Sequence, residues 1–89
     1  MKEVYIVIIS SCDGTSIKSV HKTYDTAFNK WNEYRKELLQ NEIKLNEWRA
    51  TRNYKIYNYS IKNLECEDPE QIDNFPHDTP QILKYKLED

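Results

Sequence analysis

The sequence predicts an α+β domain: a small antiparallel sheet of three or four strands with one long helix packed on one face. Three observations predict it. A β-branched and aromatic run occupies residues 4–10, an Asp13-Gly14 pair follows it, and apolar residues recur with a helical period over 24–49. That last pattern is the longest in the chain.

The opening run places Val4, Ile6 and Ile8 on one face and Tyr5, Val7 and Ile9 on the other. Apolar on both faces, it reads as a central strand. Asp13-Gly14 is a hairpin turn signal, so residues 16–22 form a second, antiparallel strand. Its alternation sets Ile17, Ser19 and His21 against Lys18, Val20 and Lys22, a more exposed strand than the first.

Thr23 caps the helix that follows, and Asp25 in the first turn suits the positive end of the helix dipole. Tyr24, Trp31, Leu38 and Leu45 share one heptad position; Ala27, Tyr34, Asn41 and Trp48 share another, with Phe28 widening the stripe. The helix stops near residue 51, because Asn53 tolerates the left-handed conformation that commonly closes helices. Residues 53–62, with Tyr54, Ile56, Tyr57, Tyr59 and Ile61, read as a third strand. Its alternation changes phase between Ile56 and Tyr57, which indicates a bulge or burial on both faces.

Residues 64–80 are acidic, hold Pro69, Pro76 and Pro80, and read as a loop within a single domain spanning 1–89. Residues 81–87 alternate again, Leu83, Tyr85 and Leu87 opposite Ile82, Lys84 and Lys86, and read as an edge strand in preference to a final helix. A helix of about 26 residues is roughly 39 Å long, whereas a strand of about seven spans roughly 23 Å. The end of the helix, with Leu45 and Trp48, is therefore expected to overhang the sheet.

Composition excludes several function classes. The single glycine, Gly14, removes every glycine-rich phosphate loop, and no cofactor motif is present. The net charge of −2 provides neither a strong basic surface nor the dense acidity of a DNA mimic. Its distribution says more: residues 1–64 carry eleven Lys and Arg against seven Asp and Glu, while 65–80 carry six acids and no base. The apolar run near the N-terminus is too short for a signal peptide or a membrane span, so a cytoplasmic protein without membrane attachment is expected. Cys12 and Cys66 match no metal or redox spacing and are expected to stay reduced.

Catalysis has no good carrier. Cys12 lies beside Asp13, whose carboxylate raises a thiol's pKa, and the acids form no marked pair; no enzyme activity is expected. Cys66, Asp68, His77 and Asp78 offer four donor atoms in one loop, but their spacing matches no metal site, and none is expected. Nucleic acid could use Lys30, Arg35, Lys36, Lys44, Arg49 and Arg52 with the tyrosines of the third strand as stacking platforms. Glu33, Glu37, Glu42 and Glu47 interleave those bases and blunt the field.

Binding to protein is better supplied. Ala27, Phe28, Trp31, Tyr34 and Leu38 are assigned to the core, and Leu45 and Trp48 are left as candidates for contact with another chain. Asn41 interrupts the seam, which argues against a long coiled coil but permits a short homodimer contact through the C-terminal half of the helix. The acids Glu65, Glu67, Asp68, Glu70, Asp73 and Asp78 form either an arm for a basic partner or a solvated loop facing the helix.

The stretches VYIVIISSCDG and KTYDTAFNKWNEYRKELL resemble short proteins encoded by phages and mobile elements of AT-rich Gram-positive bacteria. In those proteins a tyrosine-containing strand, an Asp-Gly hairpin and an Ala- and Trp-bearing helix occur in that order. The resemblance covers about the first forty residues and carries over no functional residue. It implies a small accessory protein that binds and blocks a host factor, such as a bacterial defence system (anti-CRISPR or similar). The resulting expectation is a non-enzymatic inhibitor with Leu45, Trp48, Tyr57 and Tyr59 as anchors and Glu67, Asp68 and Asp73 for charge steering of a host protein partner. The alternative is a small single-stranded nucleic-acid-binding or regulatory protein.

Overall fold

The computed structural model describes residues 2–11, 13–56, 58–73 and 78–87. The elements are β1 (Lys2–Ser11), β2 (Gly14–His21), α1 (Tyr24–Thr51), α2 (Asn58–Leu64) and β3 (Thr79–Leu87). The strands form one antiparallel sheet in the order β2-β1-β3, so the doubly apolar strand is the central one. The small α+β domain expected from the sequence is therefore the observed fold.

Each boundary has a local cause. Gly14 has φ +129, a conformation that disfavours any side chain, and the Ser11 hydroxyl binds both the Asp13 amide and the Gly14 carbonyl across the hairpin. Thr23 is the N-cap of α1; its hydroxyl accepts from the Thr26 amide at 3.4 Å. At the other end Asn53 adopts φ +57, the Asn53 amide donates to the Ala50 carbonyl, and the Tyr54 amide donates to that of Arg49. This pair of reversed bonds is a Schellman cap, and Asn53 supplies its left-handed residue.

The helix side of the sheet carries Tyr5 and Val7 of β1 with Ile82 of β3, packed against Ala27, Phe28 and Trp31 of α1, Leu64 of α2 and Ile72. Trp31 is fully buried, and its indole N–H donates to the Pro80 carbonyl at 2.7 Å, pinning α1 to the edge strand. Pro80 is tolerated there because β3 has one free edge, where a missing N–H costs no ladder bond.

Three differences from the sequence reading matter. Residues 53–62 do not form a third strand: 54–56 have no regular structure, Tyr57 lies outside the described residues, and 58–64 form α2. Both edges of β1 are already taken, and Ser60 and Leu64, four residues apart, point inward from a helical turn. Strand propensity yielded to that context. The edge strand expected at 81–87 exists and begins earlier, at Thr79.

The second difference is on α1. In its C-terminal two thirds the inward face of α1 runs through Arg35, Leu38, Leu39 and Asn46 and leaves Leu45 outside. Here α2 covers the helix: Arg35 Nη1 donates to the Leu64 carbonyl at 2.7 Å, and Ser60 donates to Glu42 at 3.2 Å. Asn32 Oδ1 accepts from Arg35 Nε and Nη2, which fixes the guanidinium plane.

The third is a bulge in β2. Val7 pairs with Ser19 but Ile8 pairs with Ile17, so Lys18 is extra and the alternation shifts phase. Ile17 and Val20, assigned to opposite faces by strict alternation, thereby come to the same face, away from α1.

Candidate protein-binding surface

At 28 residues, α1 outruns the sheet, and the protein measures 56 × 23 × 18 Å. The overhanging end carries Trp48 at 47% exposure and Leu45 at 40%. Neither belongs to the core, which resolves the sequence-based choice between core and surface for both. The Schellman turn folds the chain back over them: the Tyr54 ring lies 5.6 Å from the Trp48 ring, centroid to centroid, and the Arg52 guanidinium carbon sits 4.4 Å from its centre.

The result is an exposed aromatic platform with a cation stacked on it. Its geometry follows from the cap, since the residue after the left-handed position characteristically packs on the last helical turn. Arg52 and Tyr54 were not among the anchors expected from sequence. The signal was present, because Asn53 as the helix stop places its neighbours against Trp48. Ile56, in the stretch that leads to α2, is also exposed.

The other expected residues lie elsewhere. Tyr59 is exposed on α2, and its hydroxyl donates to Asp73 at 2.6 Å. That bond, then desolvation and the Asp73 charge, raises the Tyr59 pKa above 10.0. Asp73 is fastened further: its amide donates to Asn63 Oδ1 at 2.9 Å and its carbonyl accepts from Asn63 Nδ2. Two residues expected to meet a partner thus meet each other and tie the acidic segment to α2. Tyr57 is outside the described residues.

Asp68 shapes its own turn. Its carboxylate accepts from the Glu70 amide at 3.0 Å, and its carbonyl accepts from the Gln71 and Ile72 amides, which delivers Ile72 to the core. Asp68 and Glu70 also face the start of α1, where desolvation first and then the Glu70, Asp68 and Asp25 charges raise the Tyr24 pKa. Negative charge there complements the helix dipole. Glu67 is exposed.

A hollow of about 290 Å³ lies between Tyr5, Tyr24, Pro69, Glu70, Ile82 and Lys84. Its size is below that of ordinary ligand clefts. Among the described residues no group of three His, Cys, Asp or Glu side chains is placed to hold a metal ion; His77, part of the loop set weighed above, lies outside them. Also among the described residues, no helix is long and apolar enough to cross a membrane. No protein-family model, curated protein or solved structure matches the chain.

Proposed function

We propose that this protein acts by binding another protein, without catalysis, through the overhanging end of α1. The observation that carries the reading is the Trp48 platform: a half-exposed indole held between Tyr54 and Arg52 at the tip of a long helix. Tryptophan, tyrosine and arginine are the residues most enriched among binding hot spots. Stacking also holds the three side chains in place before a partner arrives, so little rotamer entropy remains to be lost on binding. Leu45 adds apolar area on the same stretch of helix.

An accessory protein of a phage or mobile element that occludes a host defence protein inside the bacterial cell is the biological form that the sequence resemblance suggests for this activity. Single-strand nucleic-acid binding has less to draw on, because the strand of stacking tyrosines it required is not formed.

The test is affinity capture from lysate of a Gram-positive host, with and without nuclease, using wild type and Trp48→Ala. A stoichiometric, nuclease-insensitive protein whose affinity falls by about 30-fold or more in the variant is the expected result. Undiminished capture by Trp48→Ala, or capture lost to nuclease, would overturn the reading.

A further inference from the structure

The sheet has a second face, turned away from α1, and its two outer strands leave most of it exposed, with Ile8 of the central strand buried. Pairing in register puts Val4, Ile6 and Ile8 of β1 beside Ile17 and Val20 of β2 and beside Leu83 and Tyr85 of β3, with Leu87 at the end opposite Lys2. Ile17 is 69% exposed, Val20 60% and Tyr85 51%. The β2 bulge builds this face. Without the extra Lys18, Ile17 would lie on the helix side and the patch would end at Val20.

We propose that this face is a homodimer interface, in which two copies pack sheet to sheet with their helices outward. Size is the first argument. At the observed exposures Ile17, Val20, Leu83, Tyr85 and Leu87 leave on the order of 500 Å² of mainly apolar surface, at the upper end for a patch on a monomer. Two such faces together reach about 1,000 Å², the lower bound for a specific interface. The second argument is self-complementarity. The interior of the face holds apolar side chains and one neutral amide, Gln81 beside Ile8, which accepts from the Ser10 hydroxyl at 3.2 Å, so a second copy covers it without burying a charge.

The charged groups lie at its ends. Lys2, Lys22 and Glu3, the last paired with Lys84 at 3.4 Å, lie around Val4 and Leu87 at one end, and exposed Asp13 and Asp78 lie at the hairpin end. A two-fold axis perpendicular to the strands sets each lysine end over the other copy's acidic end. Aligned packing of twisted sheets about 10 Å apart fits such an arrangement. This interface is separate from the α1 tip and differs from a self-contact through the helix.

Sedimentation velocity from about 1 to about 200 μM tests it, with circular dichroism to verify the fold of each variant. Wild type is expected to reach twice the monomer mass. Ile17→Lys/Val20→Lys should keep its helix and strand signal, since neither side chain is in the core, and dissociate at least about 100-fold more readily. Leu45→Ala/Trp48→Ala should dimerise as wild type does, even if it fails to capture a partner. A wild type that stays monomeric or grows into larger assemblies would overturn the proposal. So would an unaffected Ile17→Lys/Val20→Lys, or dissociation by the Leu45→Ala/Trp48→Ala change.

Discussion

Trp31→Phe tests the account of how the core is held. Trp31 is fully buried, and its indole N–H is bonded at 2.7 Å to the carbonyl of Pro80, itself fully buried. Phenylalanine keeps the aromatic character but removes that donor, which costs about 1–3 kcal/mol when a buried acceptor loses its partner. The smaller ring leaves a void against Val7 and Leu64, adding about 1 kcal/mol. A loss of about 2–4 kcal/mol follows, a large part of the roughly 5–10 kcal/mol typical of a domain this size. Thermal midpoints fall by about 4–8 °C per kcal/mol in small domains. Urea unfolding followed by far-UV circular dichroism, at one fixed protein concentration, measures the effect. The variant's only tryptophan is then Trp48, so its fluorescence should shift toward that of a water-exposed indole. A loss below about 0.5 kcal/mol would refute the claim that this bond pins α1 to β3.

Other predictions follow from the same geometry. Arg35→Met should cost about 2 kcal/mol, because the Leu64 carbonyl loses a charged donor, and should speed amide exchange in 58–64 first. Asn53→Val should cost about 1–2 kcal/mol by forcing a β-branched residue to φ +57, whereas Asn53→Gly should change stability little; thermal denaturation of both variants decides this. Asp73→Asn should bring the Tyr59 pKa back toward 10.0, read by tyrosinate absorbance. Since folding raises that pKa, the stabilisation from the Tyr59–Asp73 pair is complete below pH 10 and is lost as pH climbs through the folded-state value. An unchanged Tyr59 titration in Asp73→Asn would show that the hydrogen bond is not its cause.

The parts of the fold that were legible from sequence are those whose signal is local. Residues 4–10 are apolar on both faces because β1 is central; Thr23 and Asn53 mark the ends of α1 because capping is short-range chemistry. The mismatch of helix and strand lengths was enough to leave Leu45 and Trp48 outside the core. What stayed hidden depends on contacts distant in sequence. Arg35 and Asn46 look like solvated polar positions, and only the arrival of α2 makes them interior. The 53–62 run has the composition of a strand but finds no free edge on β1. The β2 bulge shows in pairing and leaves no mark on composition, so strict alternation divided Ile17 from Val20. Tyr59, Asp68 and Asp73 looked free for a partner because the hydrogen bonds that employ them span a turn or reach from α2 to the acidic segment.

Polar and apolar side chains are partly exchanged relative to simple expectation. A guanidinium and amides fill the seam between α1 and α2, while isoleucine, valine, leucine and tyrosine face outward from the sheet. Hydrogen bonds to neutral carbonyl and amide oxygens satisfy the buried arginine, so the seam specifies how α2 docks at little apolar gain. The exposed apolar residues, by contrast, contribute little to the monomer's core and are free to change without unfolding it. The binding proposed at the α1 tip and at the open sheet face is therefore separable from folding by mutation. The two surfaces also combine. In a sheet-to-sheet dimer the helices lie outermost, so both Trp48 platforms stay accessible. The proposed dimer would then offer two of the proposed binding sites on one body, and a partner that is itself multimeric would be held by avidity beyond the affinity of either platform. Comparing capture by wild type and Ile17→Lys/Val20→Lys on a densely loaded partner surface measures that gain. Equal retention would mean that the two surfaces work independently.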